Sequence, residues 1–265
     1  MSAELSLVAL RARALLNHNL REFFVQRQIL EVETPVLSSS NPTMVPVALQ
    51  QAMFLQPIYS RAMQDLIRAD SGAIYQLGKA FRADTIDRRH QYEFSLLQWC
   101  EPIWSLDQIQ QDLTSLFGAI FAGDVLPEVR SYAQAFQLRL GFDPTTLSAA
   151  DLRIQARRLG LTMTLGDDRQ AWLDLIFSHF IEPTLGIEAP LYLTELSLSV
   201  PEAEPSIYGQ PLIDVYMEGI KVGSVLCHSH TDMGVTYSIA LGIDRLLMVM
   251  MESRRITQVY SWFER

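Results

Sequence analysis

The 265-residue chain contains no uninterrupted apolar run of the about 18 residues that a membrane-crossing helix needs. No secretory leader is expected either, because the first amphipathic stretch is broken by Glu4, Arg11, Arg13 and Asn17. Only two cysteines occur, Cys100 and Cys227, too few for a disulfide framework and suited to a reducing compartment. A cytoplasmic location, with no membrane partner, is the expectation. Basic residues are outnumbered: 21 Lys and Arg stand against 30 Asp and Glu, a net charge of −9. Proteins that hold nucleic acid draw affinity from basic stripes that neutralise phosphate, and no such stripe is visible here. Repeats and low-complexity tracts are also missing. The nearest approach to a linker is 199–210, rich in Pro and Glu and expected to be a surface loop. At 49% hydrophobic content the chain can bury one substantial core, so a single domain over residues 1–265 is expected.

Chemistry-bearing residues concentrate in two places. Residues 73–81 carry Ile74, Tyr75, Leu77 and Phe81, and residues 92–100 alternate aromatic, aliphatic and polar types, which suits two antiparallel strands joined by a charged loop. Strand alternation puts Phe94, Leu96, Gln98 and Cys100 on one face and Glu93, Ser95, Leu97 and Trp99 on the other. Arg82 and Asp84 point one way at the end of the first strand. If Arg82 and Phe94 face a common pocket, a guanidinium is ready for a phosphate and a ring for a base. The spacing is equally compatible with a solvated hairpin whose loop is basic for solubility. Near the C-terminus, 236–241 reads as a strand passing through Gly242 into a helix, with Arg245 in its first turn, where it either reaches a ligand or pairs with a carboxylate.

Phe81-Arg82-Ala83-Asp84, then Arg88 to Phe94, then Gly242-Ile243-Asp244-Arg245-Leu246-Leu247-Met248 resemble motifs 2 and 3 of class II aminoacyl-tRNA synthetases. A helix through Arg21-Glu22-Phe23-Phe24, a strand at Ile29-Leu30-Glu31-Val32 and Glu33-Thr34-Pro35 resemble motif 1, which implies a homodimer. Within the class the similarity is to the lysyl branch, and there to the short paralogs that join a lysine-type amino acid to elongation factor P. It extends through 131–136, 168–169 and 181–186. The resemblance implies an α+β fold: a class II synthetase-type antiparallel sheet of about six strands, flanked by helices, with a helical insertion over roughly 105–186 and no anticodon-binding domain. It implies ATP as co-substrate. Arg82 would grip the substrate carboxylate and the α-phosphate, Asp84 would contact the nucleotide, and His90 and Arg245 would hold the outer phosphates. Phe94 would stack on adenine.

Departures from the family pattern bear on the substrate. Ile58 stands where lysine-type enzymes place a glutamate for the α-ammonium, and Gln98 and Cys100 stand where a glutamate and a tyrosine receive the side-chain ammonium. With Ser224, these are the candidate substrate-pocket residues. A buried ammonium without counter-charge costs several kcal/mol, roughly, so a small carboxylic or amino acid other than lysine is expected, passed to a protein such as elongation factor P or to a small-molecule acceptor. Lys221 replaces one of two magnesium-binding glutamates, which implies a weak or altered magnesium site. That loss leaves a second reading open, a catalytically inactive paralog serving as a regulatory or scaffold subunit. Cys227, His228, His230 and Asp232 have the types of a zinc site but no second ligand pair at useful spacing, so no protein-bound metal is expected.

Overall fold

In the computed structural model the described residues are 3–39, 45–47, 53–83, 86–102, 105–196, 209–230 and 234–260. The long helix α1 (Ala3–Gln26) is held by Leu16, Leu20, Phe23 and Phe24, buried residues spaced for one helical face. It stops at Gln28, whose left-handed φ of 58° turns the chain into β1 (Leu30–Glu31). Three short strands follow, β2 (Leu37–Ser38), β3 (Val45–Val47) and β4 (Met53–Leu55), forming a separate small sheet. Next come α2 (Ser60–Arg68) and the hairpin β5 (Ile74–Phe81) and β6 (Glu93–Glu101).

The region foreseen as a helical insertion holds α3 (Leu106–Phe121), a strand β7 (Glu128–Ser131), then α4 (Tyr132–Leu140), α5 (Ala149–Arg158) and α6 (Arg169–Ile176). Three of these helices begin on capping boxes, Ser105 with Gln108, Ser131 with Gln134 and Ser148 with Asp151, each satisfying two backbone N–H groups at the helix start. The chain closes with β8 (Leu191–Thr194), β9 (Gln210–Met217), β10 (Ile220–His230), β11 (Gly234–Gly242), α7 (Ile243–Met250) and α8 (Thr257–Tyr260).

The main sheet has eight strands in the order β1-β5-β6-β11-β10-β9-β8-β7, rather than the expected six. Its interior pairings are antiparallel, and the difference is one parallel strand at each edge, β1 on β5 and β7 on β8. The two faces do different work. One carries Tyr75, Leu97, Trp99, Val215, Ile239 and Leu241 into the largest core, where α1, α3 and α7 cover the sheet. Each fully buried side chain of this kind contributes about 1.5–3 kcal/mol. Among the described residues the opposite face is covered only at its ends. There α2 packs Tyr59, Met63 and Ile67 over Leu96 and Cys100, while α4 to α6 pack Phe136, Leu152 and Trp172 over Leu191, Leu193 and Tyr216. Between those two clusters the middle strands are left open, and the cavity lies there. The segment 197–208, which contains most of the foreseen loop, lies outside the described residues.

Candidate active site

A cavity of about 360 Å³ opens on the bare middle of the sheet, lined among others by Arg82, His90, Phe94, Lys221, Ser224 and Arg245. Arg82 follows β5 directly, and its backbone N–H donates to the Tyr92 carbonyl at 2.8 Å, so the hairpin pairing fixes its base. Its guanidinium carbon lies 5.4 Å from the centroid of the Phe94 ring, within cation–π range. Arg245 is delivered from the opposite side by the first turn of α7. Its three guanidinium nitrogens are all engaged: Nε donates to the Arg89 carbonyl at 3.2 Å, Nη1 to the Lys221 carbonyl at 3.0 Å, and Nη2 to His90 Nε2 at 2.5 Å.

Those bonds set the state of His90. Arginine has no acceptor, so His90 Nε2 is the bare nitrogen and Nδ1 carries the proton, which it gives to Asp87 Oδ1 at 2.8 Å. Burial first, and then the Arg245 charge, pull His90 below its ordinary value, with Asp87 opposing. Arg245 is likewise pulled down by burial and by the charge of Arg82. Like charges held together out of water are stabilised by an incoming anion, so the arrangement favours a phosphate-bearing ligand.

The loop-strand register explains a cluster the sequence reading did not join. Lys221 and Ser224 are three residues apart and would face opposite ways on a regular strand. The pairing of β10 with β9 shifts between Lys221 and Gly223, so that Lys221 sits opposite Tyr216 and Ser224 opposite Asp214. Both side chains then reach one oxygen: Lys221 Nζ and Ser224 Oγ each lie 2.7 Å from Asp214 Oδ1. Gly223 permits this path, because a Cβ there would lie 2.4 Å from the Ala240 carbonyl oxygen and 2.3 Å from Leu241 Cδ2. Across the site Glu182 stands 3.6 Å from the Arg89 guanidinium. Burial raises its carboxyl above the usual range, against the pull of Arg89, Arg245 and Lys221.

A second unforeseen element is Asp244. Its Oδ1 accepts from Arg13 Nη2 at 2.5 Å and its Oδ2 from the Ser95 backbone N–H at 2.6 Å, which ties α7 to α1 and β6. No spacing rule reveals a pair 231 positions apart.

The remaining sequence candidates fall elsewhere. Asp84 lies outside the described residues. Ile58 packs against the cluster under α2. Gln98 and Cys100 share the face of Phe94, as alternation requires, but both are buried beneath the start of α2 and neither lines the cavity. Every polar group of Gln98 is used: Oε1 accepts from the Tyr59 N–H at 2.9 Å, and Nε2 donates to Ser60 Oγ at 2.8 Å and Ser238 Oγ at 3.1 Å. His228 Nε2 is 2.8 Å from the same Ser238 hydroxyl, while the His230 side chain and Asp232 lie outside the described residues.

Arg82 after the hairpin and Arg245 in the helix following the last strand thus meet over a largely antiparallel sheet, in a cavity suited to a phosphate-bearing ligand. The chain belongs to the family of class II tRNA synthetases (D, K and N), whose model matches residues 3–169. Proteins named elongation factor P–(R)-beta-lysine ligase are among those it is similar to. That of Vibrio vulnificus is 28% identical over 97% of this chain and 96% of its own length. That of Yersinia enterocolitica is 31% identical over 83% and 73%, and that of Actinobacillus succinogenes 28% over 95% and 93%.

Ligases of this class use ATP and magnesium. Arg82, His90, Phe94 and Arg245 fit the nucleotide, with guanidinium groups for phosphate and a ring for the base. Magnesium fits less well. Among the described residues no group of three or more Asp, Glu, His or Cys could hold a metal ion. Among the described carboxylates, Asp244 lines the cavity but is bonded to Arg13 and the Ser95 N–H, while Asp214 and Glu182 face Lys221 and Arg89.

Proposed function

We propose that the protein is an ATP-dependent ligase that activates a small carboxylic or amino acid as an adenylate and passes it to a protein acceptor. The observation that carries this reading is the convergence of Arg82, His90, Phe94 and Arg245 on one cavity in an otherwise acidic protein. In the first step a carboxylate oxygen attacks the α-phosphorus, the bond to the β-phosphate oxygen breaks, and pyrophosphate leaves. Arg82 offsets charge on the α-phosphoryl group, and Arg245 with His90 holds the departing phosphates. In the second step an acceptor nucleophile attacks the acyl carbon and AMP leaves. Elongation factor P, which the relatives' names contain, is the first acceptor to try. The net charge of −9 argues against tRNA in that role.

The relatives' names specify (R)-β-lysine, and this chain's residues favour a different acid. Ile58, Gln98 and Cys100 supply no carboxylate, and Gln98 is fully bonded within the fold. Only Ser224 of the four substrate-pocket candidates borders the cavity. We further infer that residues 1–265 act as one catalytic unit in the cytoplasm, paired through the motif 1 helix. Leu7, Val8, Leu15 and Val25 support the pairing, since each leaves half or more of its surface exposed on α1. The second reading, a regulatory paralog without chemistry, draws on Lys221 facing Asp214 where the family has metal-binding acids.

ATP–pyrophosphate exchange across a panel of acids that includes lysine and β-lysine, with Arg82→Ala as control, tests the proposal. Exchange dependent on one acid and lost in the variant supports the ligase and names its substrate. Folded protein that binds ATP but exchanges with no acid favours the regulatory paralog. Exchange confined to lysine or β-lysine would overturn the substrate reading alone.

A further inference from the structure

We propose that Lys221 is a built-in counter-ion for the nucleotide, so that this cavity binds ATP without a divalent metal. The inference rests on reading the cavity as an ATP site.

Among the described residues the lining carries four cationic side chains, Arg82, Arg89, Lys221 and Arg245, and one carboxylate, Asp244, while Asp214 and Glu182 beside it pair with Lys221 and Arg89. Asp244 is committed to Arg13 behind the sheet, 2.5 Å away, and does not offset them. Asp214 sets the position of the Lys221 ammonium at 2.7 Å, and the Ser224 hydroxyl bonds to the same oxygen, so the lysine is held rather than trailing in solvent. The Lys221 carbonyl accepts from Arg245 Nη1 at 3.0 Å, which links the backbone of Lys221 to the guanidinium expected to hold the phosphates. The bulge before Gly223 turns Lys221 to the cavity face.

Magnesium wants several hard oxygen ligands in near-octahedral array. A divalent ion placed at Asp214 would meet the Lys221 ammonium, and one at Glu182 would meet Arg89, Arg245 and Lys221. In their place the protein offers nitrogen donors, which bind phosphate oxygens directly and need no bridging ion. The ligand class is therefore a free nucleoside triphosphate, with the phosphate chain neutralised by Lys221 and the three arginines.

The test is calorimetric titration of ATP into the intact protein with EDTA and again with saturating magnesium. Wild-type affinity in EDTA is expected within about 3-fold of that in magnesium. Lys221→Ala should weaken metal-free binding by about 10-fold or more, while Lys221→Arg should retain it. Lys221→Glu should bind only when magnesium is present. Circular dichroism of each variant confirms folding, and the wild-type comparison stands if a variant fails to fold. Wild-type binding that appears only with magnesium, or a Lys221→Ala variant unchanged in EDTA, would overturn the inference and leave the ATP reading intact. Absence of ATP binding in both conditions would instead sink the ATP reading, and the inference with it.

Discussion

Replacing Asp244 by alanine removes the carboxylate that joins three elements. Asp244 is 2% exposed and Arg13 18%, so the pair is largely out of water, and breaking such a pair costs about 3–5 kcal/mol because the surviving charge stays buried. The Ser95 N–H also loses its acceptor, a further about 1–3 kcal/mol if nothing replaces it. The two losses share one side chain and will not add fully, so about 3–5 kcal/mol is the working figure. For a domain of this size each kcal/mol moves Tm by about 2 °C, giving a fall of about 6–10 °C by thermal denaturation.

A cycle separates the ion pair from the backbone bond. Arg13→Met alone leaves Asp244 buried and still bonded to Ser95. The double variant removes both charges, and is expected to be more stable than Asp244→Ala alone, with a coupling of about 1–3 kcal/mol in urea melts. A fall in Tm below about 2 °C for Asp244→Ala, or additive single effects, would refute the argument that this pair fastens α7 to α1 and β6.

Two further predictions concern the cavity. His90 has its folded value pulled below the ordinary 6.5, so above 6.5 it is neutral in both states and contributes nothing; as pH falls further the unfolded chain takes the proton first and stability declines until the folded value is passed. A bound polyanion reverses the sign by favouring the charged ring, so ATP affinity should rise as pH falls through this window, with proton uptake measurable by calorimetry in buffers of different ionisation heat; a His90→Asn variant with the same pH dependence would disprove it. Gly223→Ala puts a Cβ 2.4 Å from the Ala240 carbonyl oxygen. It should cost about 1–3 kcal/mol by overpacking and weaken ATP binding more than its stability loss explains, since β10 must shift; an unchanged urea midpoint would contradict the bulge argument.

What was legible in the sequence follows from which signals are local. The face shared by Phe94, Leu96, Gln98 and Cys100 came from strand alternation alone, and all four do share it, since Leu96 and Cys100 pack under α2 while Leu97 and Trp99 enter the opposite core. Arg245 in a first helical turn needed only a glycine and an apolar run. Alternation alone could not join Lys221 and Ser224, because they differ in parity and the extra residue at the bulge has no signature beyond Gly223. Strand β7 has as little local signal: the run Glu128-Val129-Arg130-Ser131 is short, mostly polar and partly exposed, and its parallel partner β8 makes it a strand. The family pattern offers Gln98 as a substrate contact, and no local signal shows that its amide bonds to Tyr59 and Ser60 at a helix start about forty positions away.

The bonding of Gln98 bears on the proposed acid. Gln98 sits under the first residues of α2, and the Tyr59 N–H and Ser60 hydroxyl are what satisfy its amide. An acid whose side chain reached Gln98 would have to part those bonds and then offer the amide a replacement donor and acceptor. A charged ammonium supplies only donors, so it could satisfy Gln98 Oε1 and would leave Nε2 with its existing partners. A neutral group carrying both functions could replace both sides. The phenol of Tyr59 restricts the route, since even a Cβ at Gly78 would approach its oxygen to 3.1 Å. The acid therefore either stays short, lying over Phe94 and Ser224 beside the phosphates, or enters with a displacement of residues 57–60. Those alternatives differ in one measurable respect: only the second predicts that binding of the acid, and not of ATP alone, changes hydrogen-exchange protection at the start of α2.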